Sequence, residues 1–486
     1  MNGAMIVYFL GKVLKIEGIL MLPSCLVALI YGEKQGFAFA LVAGICLILG
    51  QIISHKKPKD TTLYLKEGCI ATALSWILMS VFGALPFLLT GEIPRFTDAM
   101  FETVSGFTTT GASILPEVEL LSHCSLFWRS FTHWIGGMGV LVFLLAVVPM
   151  SGGSHFNLMR AESPGPSVGK LVPKVNGTAR ILYVIYFAMT VAEFLLLVMG
   201  KMPVFDAICA SFGTAGTGGF GIRSDSMASY SPYIQWVVTV CMALFGVNFN
   251  AYFLLLYGKA KKALGMEEVR WYFLIILDAI GIIFFEVRVL YATAFEAITH
   301  VSFQVSSIIT TTGFATADFN LWSQSAKTIL VLLMFIGACA GSTGGGIKVS
   351  RIMILVKTVG KELGSYIHPR SIRKVKIDGK PVEHEVVRST NVYFVTFMIL
   401  FCASVFLVSL EGKDLVTNFT AVAATINNIG PGLEIVGPTG NFSSFTDFSK
   451  WVLIFDMLAG RLELFPLLIL FYPSAWKELF QRRKRK

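Results

Sequence analysis

Backbone carbonyls and hydroxyls are the only oxygens offered by the word Thr108-Thr109-Thr110-Gly111, which this 486-residue chain repeats as Thr310-Thr311-Thr312-Gly313. Two further stretches fall in register with it: Gly216-Thr217-Gly218-Gly219 and the more divergent Asn427-Asn428-Ile429-Gly430. None of the four contains a carboxylate, an imidazole or a thiol, so acid–base catalysis is not on offer. Glycine admits unusual backbone angles and leaves no side chain in the way. A loop built on it can turn successive carbonyl oxygens toward one axis, with Thr hydroxyls tying the backbone down or adding oxygens. Rings of such carbonyls replace the hydration shell of a cation. One ring needs the same loop from each of four sides, and this accounts for the recurrence.

Each copy follows an apolar run and a short stretch of helical character, residues 95–107, 203–215, 295–309 and 414–426, and precedes another apolar run. The unit is span, half-helix, glycine loop, span. Each half-helix directs its C-terminal, negative end at the loop, which favours a cation there. Non-helical backbone at membrane depth is tolerated only where protein buries it or it lines a watery path. Ordinary helix-breaking turns of a transporter would not require fourfold register.

The elements that hold these loops are therefore membrane spans. The chain is 55% hydrophobic and 14% charged, with a mean hydropathy of +0.69, against about 25% charged in globular chains. A spanning helix takes roughly 20 apolar residues. Runs of that kind occupy 5–31, 36–54, 68–90, 125–149, 179–200, 232–257, 271–290, 325–356, 390–410 and 449–473. An all-α polytopic membrane protein is predicted, with two N-terminal transmembrane helices and four pore repeats in pseudo-fourfold array. The expected division is an N-terminal helix pair over 1–60, repeats over 61–155, 156–262 and 263–385, and a fourth repeat with a basic tail over 386–486. The first run lacks a small-residue cleavage site and reads as retained.

Net charge is +10, and its placement says more than its size. Basic clusters lie at His55-Lys56-Lys57-Pro58-Lys59, at 259–262, across 348–380 and at Arg482-Arg483-Lys484-Arg485-Lys486. With ten spans and a cytoplasmic N-terminus all four fall on one side, as the positive-inside rule requires. Glu117, Glu119, Asp225, Asp318 and Glu434 fall on the other. Topology explains the basic stretches without nucleic acid. The eight cysteines are scattered singly with no CxxC spacing, so they form neither a metal site nor a disulfide framework.

The run at 325–356 carries Gly341, Ser342, Thr343, Gly344, Gly345 and Gly346 in its middle and Lys348 just beyond. Glycine in a helix interior costs about 1 kcal/mol per residue relative to Ala, so a break is expected, leaving a loop below the carbonyl rings that obstructs ion flow or swings aside. Gly341 to Lys348 also approaches a phosphate loop, but Ile347 interrupts the required G-K-[ST]. Arg461 is expected midway through the last run, where a charge is costly and normally faces a pathway. It is a candidate electrostatic barrier, or else a salt bridge to Asp456 or Glu463 or a carbonyl cap. Asp278 and Glu193 read as packing or interface residues, and His133 as a satisfied core histidine.

FWRSFTHWIGGMGV at 127–140, TTTGAS at 108–113, TTTGFAT at 310–316, GACAGSTGGGIK at 337–348, NNIGPGL at 427–433 and AGRLELF at 459–465 together resemble the Trk-type potassium transporters. That family includes the TrkH and TrkG group and the related Ktr and plant HKT proteins, and the likeness covers essentially the whole chain. It implies four covalently linked hairpins of the potassium-channel type and potassium uptake, with K+ as the transported ion and no organic cofactor. It also implies a filter formed by backbone carbonyls of Thr109, Thr110, Gly111, Thr217, Gly218, Gly219, Thr311, Thr312, Gly313, Asn428, Ile429 and Gly430. Sodium-selective plant relatives typically have Ser at the first filter glycine, so Gly111 leans toward potassium. The 341–346 loop corresponds to the family's intramembrane gate. The family's partner is a cytoplasmic nucleotide-binding regulatory ring of the TrkA type, and a homodimer in the bacterial cytoplasmic membrane, with both termini cytoplasmic, is implied. GTAGTGGFG in the second loop, with Arg223 just after it, departs somewhat from the family's wording.

The nearest rival is a symporter in which Na+ or H+ drives K+. It calls for a buried acid or His beside the substrate, and no loop copy contains one. An enzyme is disfavoured by the lack of HExxH, GxSxG or a Cys/His cluster.

Overall fold

Gly32 and Gly91, with φ of 69° and 74°, stop two apolar helices in the left-handed conformation that only glycine takes freely. The computed structural model describes residues 2–60, 63–137, 139, 175–369 and 373–476. The basic tail at 482–486, most of the 140–178 stretch and the inner part of the run at 125–149 lie outside the described residues.

Helices are numbered in chain order among the described residues. α1 (Gly3–Leu20) and α2 (Leu22–Tyr31) form one 29-residue apolar stretch, followed by α3 (Gly36–Ile53). Helices in lipid gain nothing from expelling water from one another, so their backbones approach through small residues. A side chain at Gly11 would collide with Ile53, and one at Gly50 with the Gly11 carbonyl.

The remaining helices are α4 (Leu65–Thr90), α5 (Phe96–Phe107), α6 (His123–Gly137), α7 (Val175–Met199), α8 (Val204–Ala215), α9 (Pro232–Phe245), α10 (Phe249–Leu256), α11 (Ala260–Leu264), α12 (Glu267–Val287), α13 (Ala294–Ile309), α14 (Gln324–Ile336), α15 (Val349–Ile367), α16 (His384–Ser409), α17 (Leu415–Ile426), α18 (Asp447–Arg461) and α19 (Phe465–Leu468). A two-stranded hairpin, β1 (Lys376–Ile377) with β2 (Lys380–Pro381), joins α15 to α16. The half-helices that precede the four glycine loops are α5, α8, α13 and α17. They alternate with the helices that follow them in a closed circuit: α5 packs on α6, α6 on α8, and so on through α9, α13, α14, α17 and α18 back to α5.

Among the described residues, three predicted spans bend or break sharply. α9 and α10 meet at 91°, where the Asn248 side chain accepts from the Asn250 N–H and starts α10 anew. The run at 325–356 is broken from Gly337 to Lys348, at the glycines that announced it. The run at 449–473 breaks at Leu462–Leu464, where Glu463 and Leu464 adopt φ of 58° and 65°. Arg461 is accordingly the last residue of a helix rather than the middle of one. Among the described residues five helices are long and apolar enough to cross a membrane, or six with the bent pair counted. Apolar composition decides that a run lies in the bilayer. Whether it stays helical depends on tertiary partners for the backbone groups that a break releases.

Candidate functional site

Each half-helix before a glycine loop ends in the same hydrogen bonds. Thr109, Thr217, Thr311 and Asn428 donate their N–H groups to the carbonyls three residues back, at 3.0–3.1 Å, and Thr110, Gly218, Thr312 and Ile429 to those five residues back, at 2.8–2.9 Å. This pattern closes a helix by placing one residue in the left-handed region, normally glycine. Here the φ values are 56°, 53°, 59° and 56° on Thr109, Thr217, Thr311 and Asn428. A non-glycine residue there costs roughly 1–2 kcal/mol. Four such costs at equivalent points mean that the surrounding packing imposes one geometry on all four loops.

The loops meet in a ring. Gly111, Gly219, Gly313 and Gly430 all have positive φ, from 78° to 99°. A side chain at Gly111 would strike the carbonyl oxygen of Gly218, one at Gly219 that of Thr312, and one at Gly313 that of Ile429. At Gly430 it would come within 2.8 Å of the Thr110 oxygen, which closes the circle. One carbonyl per copy, from the residue before the glycine, thus lies against the glycine of a neighbouring copy.

Side chains bind the copies together behind this ring. The His133 Nε2 accepts from the Phe220 N–H at 3.1 Å, so its Nδ1 carries the proton and donates to the Gly106 carbonyl at 2.8 Å. It is a satisfied core histidine, as expected. Asn428 donates to the Thr110 hydroxyl and to the Met457 carbonyl, both at 2.9 Å. Lys450 of α18 pairs with Asp98 at the start of α5 at 2.6 Å.

On the glycine side lies a hollow of about 130 Å³ that touches Gly111, Gly219, Gly313 and Gly430. Arg129 and Arg223 border it. Arg223 stacks over Tyr230 and lies 3.5 Å from Asp206, so its charge has a counterion. Arg129 is fully buried against Glu102, Nε to Oε1 at 2.6 Å; it donates to the Gly221 carbonyl at 3.0 Å and lies over the Phe220 ring. Glu102 also accepts from the Ser113 hydroxyl and the Ile114 N–H, each at 3.0 Å. This pair clamps the chain leaving the first two loops. Removing one member of a buried ion pair costs about 3–5 kcal/mol because the other charge is stranded. Arg129→Met is therefore expected to lower the melting midpoint of the detergent-solubilised protein sharply, and an unchanged midpoint would refute the clamp.

On the opposite, helix-end side runs the strap at 337–348. The Gly345 N–H donates to the Thr311 hydroxyl at 2.6 Å and the Gly346 N–H to the Asn427 carbonyl at 3.1 Å. A side chain at Gly344 would come within 2.9 Å of the Thr310 carbonyl, and one at Gly345 would collide with that of Asn427. Lys348, with φ of 84°, folds its buried ammonium back onto the Gly344 carbonyl. The Thr343 hydroxyl donates to the Phe245 carbonyl at 3.3 Å, and the Ser342 hydroxyl to the Cys339 carbonyl at 2.7 Å. The Gly341 carbonyl accepts from the Phe249 N–H at 3.0 Å.

Arg461 donates to the Thr343 carbonyl at 2.9 Å, to the Gly137 carbonyl at 2.7 Å and to the Gly136 carbonyl. It ties the strap to the end of α6. Of the two acids expected beside it, Glu463 pairs with Arg351, and Asp456 accepts from Ser404 at 2.7 Å. Asp278 is exposed on α12, and Glu193 is buried on α7.

Several buried ionisable groups escaped the sequence reading. Besides the Glu102–Arg129 clamp, Glu268 accepts from the Ala340 N–H at 2.7 Å and the Ser350 N–H at 3.2 Å, gripping the strap at both ends. Arg351 donates to the Ile347 carbonyl at 3.2 Å and lies over the Tyr393 ring. The available signal was charge within or beside apolar runs, which marks functional positions by default.

The TrkH family profile, described as "Cation transport protein", matches residues 35–478. The chain is 36% identical to the Trk system potassium uptake protein TrkH of Escherichia coli strain K12 over 477 residues, 96% of this chain and 97% of that one. It is 34% identical to the TrkG protein of the same strain over 479 residues, 97% of this chain and 98% of that one. The crystal structure of the potassium transporter TrkH from Vibrio parahaemolyticus superposes with a TM-score of 0.88 at 33% identity, covering 98% of this chain and all of that one.

Proposed function

Since the chain belongs to the TrkH family of cation transport proteins, we propose that it takes up potassium through the centre of the four-loop ring. One observation carries this reading: four loops from one chain close a circle in which each glycine accommodates a neighbour's carbonyl oxygen. A ring of carbonyls held at a fixed spacing offers a partly dehydrated cation the oxygens it has lost. Carbonyls of Thr109 to Gly111, Thr217 to Gly219, Thr311 to Gly313 and Asn428 to Gly430 supply that filter. The C-terminal ends of α5, α8, α13 and α17 add negative potential on its helix-end side.

In this reading the strap is the gate. Bonded to Thr311 and Asn427, it lies in the path of an ion leaving the ring. Arg461, bonded to the strap, adds positive charge to the barrier. The division into an N-terminal pair and four repeats belongs to the same proposal. So do placement in the bacterial cytoplasmic membrane with both termini inside, a homodimer, and control by a cytoplasmic nucleotide-binding ring docking on the basic loops.

The test is radioactive rubidium uptake into liposomes holding the purified chain, with internal K+ or Na+, with and without a pH gradient. Uptake supported by internal K+ and indifferent to the pH gradient is expected. Uptake that requires Na+ or a pH gradient would replace the pore with a coupled symporter.

A further inference from the structure

A cavity of about 490 Å³ opens where α15, the β1–β2 hairpin and the first two turns of α16 converge, far in sequence from the ring loops. Four cations border it: Lys361 from α15, Arg373 and Lys374 from the approach to β1, and Arg388 from α16. Two carboxylates share the lining: Glu362, which lies 3.4 Å from the Lys361 ammonium, and Glu383, which precedes α16; His384 completes the titratable set. Positive charge is therefore in excess. Arg373 is held in place because α15 presents Gly364 beneath its guanidinium, where a side chain would collide with it.

The cavity sits at one end of a membrane span. α16 is 26 residues long and apolar enough to cross the bilayer, and most of its surface is uncovered by protein. Arg388 stands in line with Val392, Val395 and Ile399, all at least half exposed, at the spacing of a single helix face. A cation at the rim thus surmounts an apolar stripe running into the membrane. The neighbouring α15 exposes Val356, Val359, Leu363 and Ile367, again one face. Basic pockets at the ends of membrane helices recognise anionic lipid headgroups on the cytoplasmic side, where the positive-inside rule puts this loop.

We propose that this cavity binds the phosphate-bearing headgroup of an anionic phospholipid, with the acyl chains lying along the Val392–Val395–Ile399 stripe. Arg373 and Arg388 engage the phosphate, and Lys361 and Lys374 enlarge the field around it. α15 follows the strap directly and leads at its far end to the hairpin, so an occupied cavity braces the segment that follows the proposed gate. Lys361, Arg373 and Lys374 belong to the basic 348–380 stretch, which is also a proposed docking surface for a regulatory ring, so the site is tested on the chain alone.

The experiment uses the full chain in neutral detergent, without a partner, and reads thermal stabilisation and bound lipid by native mass spectrometry. The probes are short-chain phosphatidylglycerol, short-chain phosphatidylcholine and inorganic phosphate. Phosphatidylglycerol is expected to raise the melting midpoint saturably, and the other two to have little effect at equal concentration. Each basic side chain near an anionic lipid contributes roughly a factor of five in affinity. Arg373→Gln with Arg388→Gln should therefore weaken binding by about thirtyfold, in a protein that melts like wild type without lipid. Glu362→Gln with Glu383→Gln should instead tighten it, which keeps the idea testable if the arginine variant fails to fold. Equal stabilisation by phosphatidylcholine, unchanged binding in either pair of variants, or full reproduction of the effect by inorganic phosphate overturns the lipid site.

Discussion

Gly313→Ser is expected to reduce the preference for potassium over sodium by about tenfold or more, a change of about 1.4 kcal/mol in relative stabilisation. Gly313 holds φ of 86° and its missing side chain is the space in which the Ile429 carbonyl oxygen sits. A Cβ there must push that carbonyl away or rotate its own peptide, and left-handed backbone on a non-glycine residue costs roughly another 1–2 kcal/mol. Either response breaks the oxygen ring at one of its four contacts. Sodium, smaller and more tightly hydrated, loses less from a distorted site than potassium does. The measurement is the ratio of rubidium uptake driven by K+ to that driven by Na+ in liposomes. An unchanged ratio in a protein that inserts normally would remove the ring from the selectivity mechanism. Because the four contacts form one circle, Gly111→Ser is expected to act in the same direction through the Gly218 carbonyl.

Deleting Gly344–Gly346 should raise rubidium flux by on the order of tenfold or more, as the barrier they impose falls. These residues lie directly against Thr310, Thr311 and Asn427, the helix-end side of the ring. Arg461→Gln tests the same barrier without shortening the chain. At an effective dielectric of about 20, a unit charge beside a cation's path opposes it by up to about 4 kcal/mol. Removing the charge should therefore also increase flux while retaining some bonding to the Thr343 and Gly137 carbonyls. Flux that falls in both variants, with insertion intact, would make the strap a structural support rather than a gate. Lys348 offers a contrast: its ammonium is spent on the Gly344 carbonyl, so its loss should loosen the strap rather than relieve an electrostatic barrier.

Much of this was legible in the linear chain. The register among the four copies placed Thr109, Thr217, Thr311 and Asn428 in equivalence, and these four share one backbone conformation. The half-helices were placed to within a residue, because each begins and ends at changes in polarity that the bilayer enforces. The break at 337–348 was readable because glycine alone packs so densely where backbone meets backbone. Local chemistry was sufficient at these points: a glycine or a threonine does at a helix end much the same thing wherever that end is placed.

What the sequence could not reveal is who meets whom. That Arg461 bonds strap and α6 carbonyls while Glu463 pairs with Arg351 follows from a helix break at Leu462–Leu464 that nothing in the composition announces. The Glu102–Arg129 clamp and the grip of Glu268 on both ends of the strap join residues far apart in the chain. Composition and periodicity determined that four equivalent glycine loops would sit in a membrane, because burial of backbone in lipid is a local requirement. The ring and the loop below it were expected from the repeat; only the tertiary structure decided which residues bond across them, because a charge or carbonyl removed from water can be satisfied only by the particular neighbour that packing brings within reach.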